Sequence, residues 1–143
     1  MRRRDFMLMT AGVTLAAPLV FAPAARAAVT MLDYTPGLIE ERLKAGEVVF
    51  VDYHATWCTT CAAQQRVLAA LTEANPAYAE KITFINVDWD TWKKDAVTTS
   101  RNIPRRSTLL LLKGDQELMR IVAGTKKADI QAMLDMGLSV AAV

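Results

Sequence analysis

The sequence predicts an α/β protein in which a central mixed sheet has helices on both of its faces. Apolar runs rich in β-branched residues alternate with segments of helical periodicity, the pattern of strands joined by helices. The last two predicted strands are joined by the turn Lys113-Gly114-Asp115, which predicts an antiparallel hairpin. The chain has 143 residues, of which 52% are hydrophobic and 22% charged, and this is typical of one globular domain.

The predicted elements begin with a short edge strand over residues 28–34. Thr35 is the expected N-cap and Pro36 the expected first position of a helix that stops at Gly46. Residues 48–53 then form an apolar run rich in β-branched side chains. Such a run predicts a strand that is buried on both faces.

A long helix is predicted over residues 58–75, because small and aliphatic side chains line one broad face. The dipeptide Asn75-Pro76 ends it, since the residue before a proline disfavours the helical conformation. A strand is predicted over residues 82–87 and a short helix over residues 92–102. Two hairpin strands, residues 108–112 and 117–123, and a final helix, residues 125–136, complete the prediction.

Residues 1–27 are predicted to be an export signal that precedes the folded domain, residues 28–143. Three arginines at positions 2–4 are followed by an apolar stretch, residues 6–21, that carries no charge. The sequence Ala25-Arg26-Ala27 then places small residues at the positions that a signal peptidase reads. An uncleaved anchor is the alternative, but the apolar stretch is shorter than the ~20 residues that span a bilayer core.

The segment Arg3-Arg4-Asp5-Phe6 resembles the core of a bacterial twin-arginine export signal. We therefore expect a periplasmic protein that works in an oxidising compartment. No stable membrane insertion is expected once the signal has been cleaved.

Composition excludes several classes of function. Four of the arginines lie in the leader, so the rest of the chain is close to neutral and a nucleic-acid-binding surface is not expected. Two cysteines are too few for a disulfide-stapled scaffold, and a single histidine excludes a His-rich metal site. No metal or other cofactor is predicted.

The chemistry is predicted to lie in the two cysteines of Trp57-Cys58-Thr59-Thr60-Cys61, which follow a buried strand and open a helix. The N–H groups and the dipole at a helix N-terminus stabilise a negative sulfur. We therefore expect Cys58 to have a lowered pKa and to attack substrate disulfides. Cys61, one turn into the helix, is expected to be less exposed and to resolve the mixed disulfide.

Other roles for a cysteine pair are less well supported. A structural disulfide with so short a loop would constrain little of the unfolded chain. A zinc site lacks a second Cys/His pair, and covalent haem attachment needs a histidine where Ala62 stands. Redox exchange is therefore the preferred interpretation.

The stretch from Val51 to Cys61 resembles the thioredoxin family through the pattern Asp-x-x-Ala-x-Trp-Cys-x-x-Cys, and the resemblance extends over nearly all of the mature chain. It implies a thioredoxin fold and a thiol–disulfide oxidoreductase that acts on protein disulfides. It also implies that Asp52 is a buried proton acceptor for Cys61; a strand end facing solvent is the alternative. Trp57, which is expected to shield the sulfurs, and Gly124 are predicted to contact substrate.

The clearest departure from that family lies just before the strand predicted over residues 108–112. Family members usually place a cis-proline there, opposite the cysteines. Counting back from the strand selects Ser107, whereas taking the nearest proline selects Pro104. We prefer Ser107 because the strand fixes the register. We predict that Ser107 faces the cysteine pair and that Arg106 presents backbone groups to the substrate.

Two features near this loop have open interpretations. Arg105 and Arg106 either lower the pKa of the attacking thiol, steer an acidic partner, or are solvated loop charges. Trp89 and Trp92 either pack over the end of the sheet, which we prefer, or form a patch that contacts a partner.

The preferred function is that of a periplasmic thiol–disulfide oxidoreductase that reduces substrate disulfides. Strong oxidants of the family usually have a histidine where Thr60 stands, so a reductant is favoured. A reductant needs electrons, which implies a membrane thiol-electron transporter as donor. The alternatives are a thiol oxidase or isomerase, carriage of a metal or cluster by Cys58 and Cys61, and a binding module that keeps only the fold.

Overall fold

The computed structural model describes residues 29–142, so the predicted leader, residues 1–27, and the boundary after it lie outside the described residues. The described elements are, in chain order, β1 (Leu32–Asp33), α1 (Leu38–Lys44), β2 (Val48–His54), α2 (Thr59–Ala74), α3 (Ala77–Lys81), β3 (Ile82–Asp88), α4 (Trp89–Trp92), α5 (Ala96–Thr99), β4 (Thr108–Lys113), β5 (Gln116–Val122) and α6 (Lys127–Ala141). None of these helices is both long and apolar enough to cross a membrane.

The strands form one mixed sheet in the order β1-β3-β2-β4-β5. β2 pairs in parallel with β3 and antiparallel to β4, and β5 returns along β4 as the predicted hairpin. Every residue of β2 before His54 is buried, as expected for a strand covered on both faces.

Helices cover both faces of the sheet because successive side chains of β2 point to opposite sides. Phe50 belongs to an apolar cluster that includes Leu68 of α2 and Met133 of α6. Val51 belongs to the opposite cluster, which includes Ile39 of α1. Burying each side chain of this size contributes about 1.5–3 kcal/mol. The predicted architecture, a mixed sheet with helices on both faces, is confirmed.

The first helix begins later than the sequence predicts. Its N-cap is Gly37, whose φ of 86° lies in the left-handed region that glycine adopts without strain. Within the described residues no side chain caps this helix, and Thr35 contributes only its carbonyl, which accepts the N–H of Leu38 at 3.0 Å. The prediction that Thr35 and Pro36 start the helix is wrong, because the chain makes a further turn first.

The single helix predicted over residues 92–102 is instead two short helices, α4 and α5. The side chain of Asp88 accepts the N–H of Thr91, and that of Asp95 accepts the N–H of Val97. Each aspartate therefore caps a separate N-terminus, which breaks the segment into two turns.

Three other elements differ from the prediction. β1 is only Leu32–Asp33, and α3 is an additional helix. α6 continues to Ala141 because Gly137 lies inside the helix, where a Cβ would come within 2.6 Å of a methyl of Ile82. This glycine therefore lets the helix approach the sheet closely and does not terminate it.

The predicted site lies at one end of the sheet, where three elements meet. β2 ends just before Cys58 and the N-terminus of α2. β4 runs antiparallel to β2, so its first residue, Thr108, pairs with Tyr53 near the end of β2. The residue before β4, Ser107, donates its N–H to the carbonyl of Tyr53 at 2.8 Å. This pairing holds the loop before β4 beside the cysteines.

Candidate active site

Cys58 is the N-cap of α2, and its sulfur accepts the backbone N–H of Cys61 at 3.2 Å. A side chain at this position completes the hydrogen bonding of the first helical turn, as serine does in other helices. Both cysteines are free thiols, so the site is in its reduced form. Cys58 is 5% exposed and Cys61 is fully buried, as the helix position predicts.

Ser107 lies between the two sulfurs. Its Oγ is 3.1 Å from the Sγ of Cys58 and 3.1 Å from the Sγ of Cys61, and the residue is fully buried. No peptide bond within residues 29–142 is cis, and Ser107 adopts a left-handed φ of 63°. Pro104 is exposed. The residue opposite the cysteines is therefore Ser107, where the strand register predicts it, while its part in substrate binding stays a prediction.

The two thiols differ in acidity. Burial raises the pKa of Cys58, but hydrogen bonds to its sulfur outweigh burial and lower that pKa to about 7. The donors are the side chain and backbone of Cys61, the Ser107 hydroxyl and the Arg106 side chain. Burial raises the pKa of Cys61, and donation of its S–H to Cys58 raises it further. Near pH 7 about half of the Cys58 side chains are therefore thiolates, while Cys61 remains a thiol.

Asp52 is a fully buried carboxyl group on β2. Its Oδ2 accepts a short hydrogen bond from the side-chain amide of Gln65, and its Oδ1 has no partner among the described residues. Burial raises the pKa of Asp52 to about 7; the Gln65 hydrogen bond opposes this rise, and the negative charge on Cys58 adds to it. The alternative of a strand end facing solvent is wrong, since the side chain is enclosed by the protein.

Gln64 joins the two loops that flank the cysteines. Its Nε2 donates to the carbonyl of Ser107 at 3.0 Å and to the carbonyl of Gly124 at 2.9 Å. The side chain is fully buried, and its Oε1 has no partner among residues 29–142. Gly124 thus turns its carbonyl toward the interior, and its predicted contact with substrate remains untested. Gln64 is not among the predicted site residues; the signal in the sequence is a polar residue one turn after Cys61 on a buried helix face.

Trp57 lies at the rim of the site with 56% of its surface exposed. Its indole N–H donates to the Oδ2 of Asp90 at 2.8 Å, and the guanidinium of Arg106 lies 4.4 Å from the ring centroid. Arg106 therefore flanks both Cys58 and Trp57. The guanidinium of Arg105 instead turns back and donates to the carbonyl of Arg106 at 3.1 Å.

Trp89 is the aromatic residue that packs against the apolar cluster of Ala55, Cys58 and Cys61. Trp57 is predicted to shield the sulfurs, but in the structure Trp89 is the tryptophan that packs against the cluster containing them. Trp92 packs edge-on against Tyr34, with 5.0 Å between ring centroids. Both tryptophans thus pack over the end of the sheet, which is the interpretation preferred from the sequence.

The thioredoxin family model matches residues 33–136 of this chain. The chain belongs to the thioredoxin family. A thioredoxin H-type of Oryza sativa subsp. indica is 32% identical over 88 residues, which cover 62% of this chain and 66% of the rice protein. Thioredoxin C-2 of Corynebacterium nephridii is 30% identical over 97 residues, which cover 67% of this chain and 84% of that protein. The crystal structure of Trxlp from Edwardsiella tarda EIB202 has a TM-score of 0.65 and 28% identity, and the alignment covers 73% of this chain and 98% of that one.

This thioredoxin-family protein is a thiol–disulfide oxidoreductase, and Cys58 and Cys61 are its redox-active dithiol. The arrangement supplies a thiolate at Cys58, a thiol at Cys61 and a buried carboxyl group at Asp52. Among the described residues, no group of three or more His, Cys, Asp or Glu side chains is arranged to hold a metal ion.

Proposed function

We propose that this protein is exported and reduces disulfides of client proteins in the periplasm. The observation that carries the proposal is the pKa of Cys58, which is lowered only to about 7. Stabilising the thiolate stabilises the reduced dithiol and so makes the disulfide more oxidising. Thioredoxin, a reductant, has an attacking cysteine with a pKa of about 7, whereas the strongest oxidants of this fold reach about 3.5. A modest lowering therefore favours the reducing direction.

The reaction uses the two sulfurs in sequence. The Cys58 thiolate attacks one sulfur of the substrate disulfide, which forms a mixed disulfide and releases the other substrate sulfur as a thiolate. Cys61 then gives its proton to Asp52 and attacks Cys58. This step releases the second substrate thiolate and leaves a Cys58–Cys61 disulfide. The substrate gains the two electrons that the protein loses, and its thiolates take up protons from water.

Asp52 is suited to accept the Cys61 proton because its raised pKa, about 7, lets it exchange protons near neutral pH. Trp57 and Arg106 form the rim beside Cys58, so they are the groups that a docked substrate would meet first. The oxidised protein must be reduced again, and in an oxidising compartment a membrane thiol-electron transporter is the donor that we propose.

The direction of transfer is tested by the redox potential of the domain spanning residues 28–143, measured by equilibration with dithiothreitol buffers. We expect a value near the approximately −270 mV of thioredoxin. A value above about −180 mV, typical of isomerases and oxidants, would contradict a reducing role. Metal analysis of the same sample tests the alternative of metal or cluster carriage.

Export is tested with the full chain by cell fractionation. Replacing Arg3 and Arg4 together by lysine should keep the protein in the cytoplasm if the twin-arginine route carries it. Arg2→Lys is the matched control, since it changes an arginine outside the pair. A wild-type chain that never reaches the periplasm would overturn the proposed location, while an unaffected double variant would overturn only the route.

The client proteins are tested by trapping. Cys61→Ser should accumulate mixed disulfides on Cys58, because the resolving thiol is missing. Cys58→Ser is the control and should trap none. If the trapped adducts form equally with both variants, the assigned order of attack and resolution is wrong.

A further inference from the structure

The Ser107 hydroxyl contacts both sulfurs but has only one hydrogen to donate. Its Oγ lies at the same distance, 3.1 Å, from Cys58 and from Cys61. A hydroxyl group can donate one hydrogen bond and accept others at the same time. In the reduced site the hydroxyl donates to the Cys58 thiolate, to which the S–H of Cys61 also donates.

We propose that Ser107 is a catalytic residue. Its hydroxyl donates a hydrogen bond first to the Cys58 thiolate and then to the Cys61 thiolate. The proposal rests on dithiol exchange by Cys58 and Cys61. It does not depend on export or on whether substrates are reduced or oxidised.

The charge moves from one sulfur to the other as the reaction proceeds. When Cys58 bonds to a substrate sulfur, its negative charge leaves with the other substrate sulfur, and the hydroxyl no longer faces an anion there. Cys61 then loses its proton, and the negative charge within the pair is on Cys61. Rotation of the hydroxyl about its C–O bond turns its hydrogen to this sulfur without moving a heavy atom. Attack of Cys61 on Cys58 then expels the remaining substrate thiolate.

The hydroxyl matters more for the second sulfur than for the first. Cys58 is also stabilised by the side chain and backbone of Cys61 and by Arg106. For Cys61 the stabilising groups are the Ser107 hydroxyl and the backbone of Ala55. Among the described residues, loss of the hydroxyl therefore removes a smaller share of the hydrogen bonding to Cys58 than of that to Cys61.

Gln64 is the positioning residue for this hydroxyl. The backbone of Ser107 is held by three hydrogen bonds: its N–H binds the carbonyl of Tyr53, and its carbonyl accepts from Ala123 and from Gln64. These contacts hold a serine in the left-handed region, which residues other than glycine rarely adopt. The buried Oε1 of Gln64 has no partner within residues 29–142. This is unfavourable for folding, so the Gln64 side chain is not explained by core packing alone.

The test follows the reaction of the reduced protein with 5,5′-dithiobis(2-nitrobenzoate), an aromatic disulfide that releases a coloured thiolate in each step. The first release reports attack by Cys58, and the second reports resolution by Cys61. Ser107→Gly removes the hydroxyl and leaves a residue that adopts a φ of 63° without strain. We expect the second release to slow about tenfold, the effect of one hydrogen bond to a charged group, and the first by about threefold or less.

Ser107→Ala also lacks the hydroxyl and should give the same pattern. Agreement between the two variants would show that the effect does not come from the greater backbone flexibility of glycine. Gln64→Leu should slow the second release in the same way, with the hydroxyl present but less well placed. The matched control is Thr72→Val, which removes a buried hydroxyl on α2 that donates to the carbonyls of Leu68 and Ala69 within that helix. It should leave both releases unchanged.

Equal slowing of the two releases, or an unchanged second release, in both Ser107 variants would overturn the proposed role of Ser107. A Gln64→Leu protein with wild-type kinetics would overturn the positioning role. These outcomes differ from failure of the dithiol activity itself, in which the wild-type protein would not release two equivalents of thiolate.

Discussion

Replacing Asp52 by asparagine should stabilise the protein, and the gain should grow with pH. The carboxyl group is fully buried, with a pKa of about 7 in the folded state against 3.8 for an ordinary aspartate. At a pH between these two pKa values, Asp52 is protonated in the folded state and ionised in the unfolded state. The free energy of unfolding therefore falls as pH rises. One pKa unit corresponds to about 1.4 kcal/mol, which gives about 4 kcal/mol by pH 7.

Asparagine has no titrating group at this position, so the variant is free of this loss. Its side-chain oxygen can accept the Gln65 amide as the Asp52 carboxylate does. The free energy of unfolding of the variant, relative to wild type, should therefore rise by about 4 kcal/mol between about pH 4 and pH 7 and level off above that. This is a large share of the 5–15 kcal/mol typical of a whole domain.

The assay is urea unfolding of both reduced proteins across this pH range, with the two free energies subtracted so that shared titrations cancel. Asp115→Asn, in the exposed turn between β4 and β5, is the control and should give a flat difference. The same substitution at position 52 should also slow resolution by Cys61, since the proton acceptor is lost. A difference that does not change with pH, or an asparagine variant that is less stable at about pH 8, would refute the reasoning.

Three further predictions concern single side chains. Alkylation of the reduced protein should modify Cys58 with a midpoint near pH 7 and leave Cys61 almost unreacted; preferential labelling of Cys61 would reverse the assigned roles. Arg106→Gln should raise the pKa of Cys58 by up to about one unit in the same titration, whereas Arg105→Gln, whose guanidinium turns away, should not. Gly137→Ala should lower the free energy of unfolding by about 1–3 kcal/mol, because the added methyl overpacks the contact between α6 and the sheet; unchanged stability in urea would show that this contact is loose.

Much of the site follows from the sequence because it depends on residues that are close in the chain. A strand followed by Cys58 and a helix is enough to place one sulfur at the helix N-cap and the other one turn behind it. The apolar run of β4 likewise begins at Thr108 and makes Ser107 the residue just before the strand, next to the end of β2. The burial of Asp52 follows from its place in an apolar run.

The tertiary structure alone decided which distant groups complete the site. Gln64 donates to the carbonyls of Ser107 and Gly124, which lie 43 and 60 positions further along the chain. The sequence pattern around Gln64 does not predict contacts at such separations. Trp89 packs against the cluster that contains the two cysteines and follows the helix cap Asp88, while Trp57 is held at the rim by Asp90. The left-handed φ of Ser107 is likewise not predictable from the sequence, since serine does not favour it. Three hydrogen bonds hold the Ser107 backbone there, from the Tyr53 carbonyl, the Ala123 N–H and the Gln64 side chain, which lie in separate segments.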